Sequence, residues 1–492
     1  MTRKSLKERT IWGMIWVGIQ RFGLVIISFL SNIVLARLLS PDDFGYIGIL
    51  TVFIAVSNVF IDGGFGSALI QKTNPSQDDY STVFYWNLTL SFLLYGLLYC
   101  FSPLIAQFYD MEILCSILRV QGVILIINGC TRIQFNILRK RMEFKKIAFV
   151  YILSSLLSVV CAIILAYSGY GVWALVMQQI ILSTANMVLL YFIMPWHPSL
   201  VFSVSSLKSL FGFGSFILLS SLINTLANNV SALIVGKYFS ASTLGYLSQA
   251  QKVENVASTS IASTVEQVTY PLLVEVNQDY QRMTSILRIF NSALIAVVSP
   301  LMFSIIIAAA PIIQFLFGIK WLPSAPILRI LCIAGIFICL QGSSYNVIAA
   351  IGKSNMLFRW TVIKRSVGIT MIILGLLVFG FNGVLFGMAF SSCFIWLCNG
   401  WLVSKTIGYS LYRQIIDLCP VLIPSVILFC VTFLAQHYSI LGPNDLIYSL
   451  IFLSLYCVFL LLSPHHTIAE VRAQYKLRKI RLYIKSLGPK IE

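Results

Sequence analysis

The chain has 492 residues, of which 58% are hydrophobic and only 10% are charged. Soluble globular proteins carry about 25% charged residues, so this composition excludes an ordinary soluble fold and indicates a polytopic membrane protein. The formal net charge of +17 would suggest nucleic acid as a partner if the protein were soluble, but here the placement of the charges points to membrane topology instead.

Apolar segments of about 20 residues or more recur from end to end, and each is long enough to cross a bilayer as a helix. The short alternating strands typical of a membrane β-barrel do not occur in the sequence. We therefore predict an all-α polytopic membrane protein with about 14 transmembrane helices. The predicted spans are 10–38, 42–70, 80–108, 112–138, 146–167, 171–194, 208–236, 241–272, 284–309, 325–350, 356–380, 383–404, 418–436 and 445–463.

Basic residues alternate from one predicted connection to the next. Most of the 34 lysines and arginines fall at the two ends of the chain and on every second connection, such as segment 137–146. The intervening connections carry very few, and the turn at 168–171 carries none. Because positively charged loops stay in the cytoplasm, this pattern predicts that both termini are cytoplasmic.

A repeated hairpin divides the chain. Residues 31–47 (SNIVLARLLSPDDFGYI) match residues 231–247 (SALIVGKYFSASTLGYL) at a constant offset of 200 positions. The turns at 170–172 and 382–384 also resemble each other, so two copies of one six-helix lobe are expected, with the same orientation in the membrane. The predicted divisions are an N-terminal lobe at 1–198, a C-terminal lobe at 199–410, two further transmembrane helices at 411–464 and a basic cytoplasmic tail at 465–492.

Ionisable residues inside membrane spans are costly and usually face a bundle interior or a watery cavity. Arg21 and Asp62 reach similar depths on neighbouring antiparallel spans, so an ion pair between them is one expectation. Arg132 and Lys252 have no obvious acidic partner at their own depth, which suits an anionic ligand such as phosphate or pyrophosphate. The deep ionisable residues are Arg21, Asp62, Arg132, Lys252, Glu254 and Glu266.

Polar stripes at helical spacing occur on spans 1, 2, 4, 7 and 8, among them Asn58 with Asp62 on span 2 and Asn128 with Arg132 on span 4. Together they predict one wet cavity between the lobes. Asn224 and Asn255 belong to these stripes and are predicted to contact the substrate. The alternative for any single asparagine or serine is ordinary hydrogen bonding between helices. Protonation of Asp62, Glu254 or Glu266 is one candidate for energy coupling, and the membrane potential acting on the cationic cavity is another.

Two glycines follow Asp62 in the segment IDGGFG (61–66). Glycine inside a helix weakens it and permits a bend, so Gly63 and Gly64 are predicted to kink or hinge the second span, or to allow close packing there. The eleven cysteines lie mostly in apolar runs and the four histidines are scattered, so we predict neither a metal site nor a cofactor.

Several segments together resemble the multidrug/oligosaccharidyl-lipid/polysaccharide exporter superfamily, and within it the Wzx-like polysaccharide transporter branch. These segments are LARLLSPDDFGYIGI (35–49), IDGGFGSALIQK (61–72), ILRKRMEFKK (137–146), GYGVWALV (169–176) and GYLSQAQKVEN (245–255).

The resemblance implies a flippase that moves an undecaprenyl-diphosphate-linked oligosaccharide across the bacterial cytoplasmic membrane by alternating access. Arg21 and Lys252 lie on the helices that carry pyrophosphate-binding arginines in related flippases, and Arg132 is a further candidate. The implied partners are the lipid-linked substrate and membrane lipids. The resemblance also implies two protein partners, a polysaccharide polymerase and a chain-length regulator. A monomer is expected.

Two other functions stay open on the sequence alone. A cation-coupled drug exporter of the same superfamily would favour carboxylates, which Asp62, Glu254 and Glu266 supply, although the cavity has an excess of Arg and Lys. A membrane glycosyltransferase or polymerase would need a long outward loop for its catalytic residues. The outward connections here are too short for one, so we expect a transporter and not an enzyme.

Overall fold

The computed structural model describes residues 6–194, 196–440, 442 and 444–462, and the predicted basic tail at 465–492 lies outside them. The described part is helical with turns between the helices and contains no strand, which confirms the predicted all-α class. The first eight helices are α1 Leu6–Leu38, α2 Pro41–Asp62, α3 Phe65–Gln71, α4 Gln77–Tyr109, α5 Ile113–Gln121, α6 Val123–Lys140, α7 Phe144–Tyr167 and α8 Val172–Ile193. The others are α9 Val204–Tyr238, α10 Ala241–Glu275, α11 Tyr280–Ile307, α12 Ala309–Phe317, α13 Ser324–Ala350, α14 Ser354–Ile407, α15 Leu411–His437 and α16 Asp445–Leu462.

Twelve helices among the described residues are long and apolar enough to cross a membrane. Helix α10 is not one of them, because its polar stripe lowers its hydropathy. Helix α14 counts once, although it bends back on itself. The predicted total of about 14 spans therefore stays a prediction, while the multi-pass membrane class is confirmed.

The 54-residue α14 is a helical hairpin. As one straight rod it would be about 80 Å long, far more than the roughly 30 Å hydrocarbon core. Gly380 has φ 58° and ψ −133°, which is non-helical, and it reverses the chain there. A Cβ atom on Gly375 would overlap the carbonyl oxygen of Gly383, so the two arms lie backbone to backbone. Glycine at these positions is what allows the close approach.

Two serines fix the starts of α2 and α4 by the same mechanism. Ser40 and Asp43 form a capping box before α2, and Ser76 and Asp79 form another before α4. In each box the serine hydroxyl accepts from a free backbone N–H, and the aspartate accepts from the N–H of the serine. Pro41 at the first helical position of α2 adds a fixed φ. The sequences SPDD and SQDD thus encode two sharp helix starts.

The described helices divide into two compact units. The first runs to Ser248 and includes Leu316–Trp321, and in it α1 packs on α7, α7 on α8, α4 on α6 and α2 on α9. The second comprises Gln249–Phe315 and the described residues from Leu322 onward, with α13 packed on α11 and α14. These contact-based units do not divide the chain at the predicted lobe boundary, since α9 packs within the first. The lobes at 1–198 and 199–410 stay a prediction.

The segment Leu316–Trp321 binds the C-terminal end of α1 within the first unit. Lys320 Nζ donates to the carbonyl oxygens of Arg37 at 2.9 Å and Leu39 at 2.6 Å, and Trp321 Nε1 donates to the carbonyl oxygen of Ala36 at 2.8 Å. Burial lowers the pKa of Lys320. The segment thereby satisfies carbonyl groups that a helix C-terminus leaves without intrahelical partners. Arg37 donates back to the carbonyl oxygen of Leu316 at 3.0 Å.

Candidate functional site: a polar cavity beside Asp62

The helix predicted over 42–70 breaks after Asp62. Gly63 and Gly64 both adopt left-handed backbone conformations, with φ of 55° and 73°, and α3 begins at Phe65. These values favour glycine, because a Cβ atom makes this region of backbone conformation costly. The break leaves the Asp62 carboxylate at the C-terminal end of α2, next to carbonyl groups of the same sign of charge. A cation there is stabilising, and the fold provides one.

Arg132 of α6 is that cation. Its Nη1 lies 3.1 Å from Asp62 Oδ1, and its Nη2 donates to Asn58 Oδ1 at 2.6 Å. Asn128 donates to the same Asn58 oxygen at 3.4 Å. Asn58 and Asp62 are one turn apart on α2, and Asn128 and Arg132 are one turn apart on α6, so two short polar stripes face each other. The Arg132 and Asp62 side chains keep 23% and 38% of their surfaces exposed, so the pair remains in contact with solvent.

A cavity of about 230 Å³ opens beside this ion pair, entirely within the first unit. Arg132 and Arg139 contribute two positive charges to its wall and Asp62 one negative charge. Two buried polar atoms, Arg132 Nε and Asn186 Oδ1, have no hydrogen-bond partner among the described residues. Because buried polar atoms normally find partners, they mark places where a bound polar group would gain hydrogen bonds. The cavity is lined by Asp62, Asn128, Thr131, Arg132, Phe135, Asn136, Arg139, Tyr151 and Asn186.

Gly66 brings α3 close enough to close one side of the cavity. A Cβ atom there would lie 2.9 Å from Asn136 Nδ2 and 3.2 Å from Asp62 Oδ1. The cavity wall also includes Phe135, whose ring stacks on Tyr151 with centroids 4.7 Å apart. A water molecule takes about 30 Å³ of liquid volume, so the cavity has room for about seven waters or for one small polar group, and it is too small for a chain of several sugars.

Two expectations about these charges are wrong. Arg132 does have an acidic partner, and the partner of Asp62 is not Arg21. In the structure the ion pair of Asp62 is with Arg132, whereas the Arg21 side chain on α1 is exposed. Similar depth along neighbouring spans suggests the pairing of Arg21 with Asp62, but depth does not fix how each helix is rotated about its axis.

The remaining candidates lie on α9 and α10. Asn224 donates to the carbonyl oxygen of Ser220 in its own helix at 3.0 Å. Lys252 and Asn255 have exposed side chains, and Asn255 accepts from Thr259 at 3.0 Å. Glu254 is buried and Glu266 is partly buried, both in the second unit. None of these residues lines the cavity beside Asp62, and their predicted roles stay predictions.

Six cavity residues are absent from the predicted site: Thr131, Phe135, Asn136, Arg139, Tyr151 and Asn186. The signal for two of them is present, because Asn128, Arg132, Asn136 and Arg139 follow one another at helical spacing on α6. On the sequence alone, Arg139 is interpreted only as a topological charge in the basic segment 137–146. Tyr151 and Asn186 come from other helices, and nothing local in the sequence connects them to α6.

Comparison with solved structures identifies the fold. The chain superposes on the lipid II flippase MurJ in an inward closed conformation with a TM-score of 0.72, covering 91% of this chain and 100% of that chain at 18% identity. It superposes on an inward-facing multidrug resistance MATE family transporter with a TM-score of 0.60, covering 82% of this chain and 99% of that chain at 16% identity. The chain therefore has the fold shared by these two classes of transporter.

The family follows from the sequence comparison. A family model described as "Polysaccharide biosynthesis protein" matches residues 34–326, and the chain belongs to that family. This confirms the resemblance to the polysaccharide transporter branch that the sequence motifs indicate.

Three similar proteins extend the match over most of the chain. Teichuronic acid biosynthesis protein TuaB of Bacillus subtilis is 27% identical, over 94% of this chain and 97% of the relative. Succinoglycan biosynthesis transport protein ExoT of Rhizobium meliloti is 23% identical over 95% of each chain. Lipopolysaccharide biosynthesis protein WzxC of Escherichia coli is 23% identical over 84% of each chain.

Proposed function

We propose that this protein is a flippase that moves lipid-linked oligosaccharide units across the bacterial cytoplasmic membrane for the synthesis of a surface polysaccharide. Family membership over 34–326, extended by relatives named for three different polysaccharides, is the observation that carries the proposal. The fold neighbours are transporters, and the protein is a transporter and not an enzyme. The substrate class is a polyprenyl diphosphate that bears an oligosaccharide.

The headgroup of such a substrate joins a neutral sugar chain to a diphosphate with negative charge. Arginine and lysine side chains in a low-dielectric site bind phosphate oxygens strongly, and the planar guanidinium does so in a bidentate manner. We assign the diphosphate to Arg21, Arg132 and Lys252, with Asn224 and Asn255 as contacts of the sugar part. The cavity beside Asp62 supports this for Arg132, because its charged wall is net positive.

In this proposal Asp62 releases Arg132 when an anion arrives. A phosphate oxygen offers the guanidinium the same hydrogen-bond geometry as the carboxylate that now holds it. The 230 Å³ cavity suits a single phosphoryl group, so the sugars occupy the space between the two predicted lobes. Gly63 and Gly64 act as a hinge beside this exchange, and protonation of Asp62, Glu254 or Glu266 couples transport to the proton gradient.

We propose in addition an oligomeric state, an orientation in the membrane and protein partners. The chain works as a monomer with both termini in the cytoplasm, and it hands its product to a polysaccharide polymerase and a chain-length regulator on the outer face. The alternation of basic residues along the connections supports this orientation.

The test is deletion of the coding sequence in its host, followed by analysis of surface polymer and of lipid-linked oligosaccharides. The flippase proposal expects loss of the polymer and accumulation of complete oligosaccharide units that an externally added, membrane-impermeant glycosidase cannot reach in intact spheroplasts. A polymerase deletion is the control, because its accumulated units are on the outer face and are accessible. Normal polymer with no accumulation would rule the proposal out.

The MATE-type fold supports one alternative, export of cationic drugs. A drug exporter would leave surface polymer intact when deleted and would make the cells sensitive to cationic dyes. The same deletion strain therefore separates the two functions, since polymer and dye resistance are measured independently.

A further inference from the structure

Two glutamates of α10 are seated against two glycines of α13 in the second unit. A Cβ atom on Gly335 would lie 2.5 Å from Glu254 Oε1, and one on Gly342 would overlap the carboxyl group of Glu266. Gly335 and Gly342 are seven residues apart and share one face of α13. Both carboxyl groups therefore lie directly on the backbone of α13, in space that any other residue would fill with its side chain.

Glu254 is the more deeply buried of the two, with 4% of its surface exposed. Its Oε1 atom has no hydrogen-bond partner among the described residues. Within that part of the chain, no lysine, arginine or histidine forms an ion pair with it. A buried carboxylate without a cationic partner is very unfavourable in its ionised form, so this site favours the neutral carboxylic acid.

The groups that face Glu254 come from three helices. On its own helix Ser258 hydrogen-bonds to it, and Lys252, two positions earlier, lies about 200° around the helix and on another face. On α13 the thiols of Cys332 and Cys339 lie close to it, and Cys339 is close to Glu266 as well. From α11 comes the thioether of Met302, whose sulfur lies 3.3 Å from the point that a Cβ atom on Gly335 would occupy.

These neighbours suit a proton better than a metal ion. Hard cations such as sodium or calcium need several oxygen ligands, and the surroundings of Glu254 offer one hydroxyl, two thiols and a thioether. No group of three His, Cys, Asp or Glu side chains among the described residues is arranged to hold a metal. A proton needs only the carboxylate itself, and it removes the charge that the site cannot solvate.

We infer that Glu254 and the backbone of Gly335 form a proton-binding site, and that release of the proton separates α10 from α13. Binding converts the carboxylate and one proton from the aqueous phase into a neutral carboxylic acid that packs on Gly335. Release returns the proton and leaves an unpaired negative charge, which regains its solvation only if the two helices part and admit water. As a coupling step this inference rests on the proposed transport function, and it selects Glu254 from the three carboxylates considered there.

The test uses the two buried thiols as reporters on purified protein in lipid nanodiscs, without substrate. Cys332 and Cys339 have 0% exposure, so a maleimide reaches them only when the interface opens. Modification of each cysteine is measured by peptide mass spectrometry between about pH 5 and about pH 9, a range that brackets neutral pH. The variant Glu254→Gln mimics the protonated state, and Glu275→Gln, an exposed glutamate of the same helix, is the matched control.

We expect modification of Cys332 and Cys339 to rise with pH several-fold more in the wild type and in Glu275→Gln than in Glu254→Gln. A negative charge at Glu254 opposes thiolate formation at the two nearby cysteines. Thiol chemistry alone would therefore make Glu254→Gln the more reactive protein, which is the opposite of the expected result. Identical pH profiles in wild type and Glu254→Gln would overturn the inference, and so would full modification of Glu254→Gln at every pH. Because no substrate is present, these results are independent of the deletion experiment that tests the flippase proposal.

Discussion

Gly45 and Gly245 make the same contact from opposite sides. A Cβ atom on Gly45 would overlap the carbonyl oxygen of Ala241, and a Cβ atom on Gly245 would overlap the carbonyl oxygen of Pro41. The two glycines are 200 positions apart in the chain, and so are Pro41 and Ala241. The repeated hairpins therefore meet through a reciprocal contact at the first turns of α2 and α10, where the backbones touch.

Alanine at either glycine should destabilise the protein. Gly45→Ala and Gly245→Ala each place a methyl group against a backbone carbonyl, which cannot move as a side-chain tip can, and overpacking of this kind costs about 1–3 kcal/mol. Thermal unfolding in detergent, followed by fluorescence of a thiol-reactive dye, measures the loss. Gly96→Ala is the control, because no atom lies within 4 Å of the point its Cβ would occupy and alanine favours the helix. Equal melting temperatures for all three variants would show that the reciprocal contact does not constrain the fold.

This contact illustrates what the sequence can and cannot predict. The duplication at an offset of 200 positions is visible in the sequence, because Gly45 and Gly245 recur in matching patterns. Nothing in either pattern says that each copy contacts the other, since that depends on how the helices cross. The close approach requires glycine, so both copies of the repeat have glycine at this position. The sequence does not show which backbone each glycine contacts.

The cavity beside Asp62 is also predictable from the sequence in part: its polar residues are, and their pairing is not. Depth along the spans identifies Arg21 and Arg132 as cations of interest, and helical spacing reveals both stripes of the observed cluster, Asn58 with Asp62 and Asn128 with Arg132. The predicted pairing is wrong, because helix rotation is set by packing over the whole unit and not by local sequence. The break at Gly63 is predictable from the two adjacent glycines, Gly63 and Gly64, inside the predicted span.

Separation of the Arg132–Asp62 pair should affect function more than stability. The pair is partly exposed, so its loss is expected to cost only about 1 kcal/mol, in the range of solvent-accessible ion pairs. Arg132→Ala should abolish complementation of polymer synthesis because the proposed phosphate ligand is gone. Asp62→Asn keeps the cation and should retain part of the activity.

Surface polymer in the deletion strain and melting temperature of the purified variants are the two measurements for this pair. Arg141→Ala, which removes an arginine just beyond α6 that does not line the cavity, serves as the control for loss of charge in this region. Full polymer with Arg132→Ala would exclude a role for the cavity in substrate binding.

The exposed cations Arg21 and Lys252 are predicted to be required for transport. Arg21→Ala and Lys252→Ala should each abolish surface polymer and leave the protein in the membrane, because a diphosphate crossing a low-dielectric path needs compensating charge. Complementation of the deletion strain and immunoblotting of membranes measure the two effects. Arg359→Ala, an exposed arginine at the start of α14, should support normal polymer. If the Arg21 and Lys252 variants both restore normal surface polymer, the proposed role of these cations in transport is excluded.

A tyrosine in the turn between α14 and α15 gives a stability prediction that depends on pH. Tyr409 is 6% exposed, and its hydroxyl donates to Asp417 Oδ2 at 2.6 Å, while Arg288 Nε lies 3.4 Å from the other oxygen of that carboxylate. Burial and, after it, the hydrogen bond to Asp417 raise the pKa of Tyr409 above its ordinary value of 10.0. The folded protein therefore holds the phenolic proton more tightly than the unfolded chain does.

Because the pKa of Tyr409 is higher in the folded protein than in the unfolded chain, the free energy of unfolding depends on pH. The stabilisation by Tyr409 is complete below pH 10.0 and is lost as the pH rises above it, where the unfolded chain ionises first. Tyr409→Phe removes the hydrogen bond to a charged group and should lower stability by about 1.5–3 kcal/mol at neutral pH. Above pH 10.0 the difference in melting temperature between wild type and Tyr409→Phe should shrink, since only the wild type loses this contribution. Tyr412→Phe, an exposed tyrosine one turn away, is the control and should follow the wild type throughout. A difference that stays constant, or grows, across the alkaline range would contradict the assignment of the Tyr409 proton to Asp417.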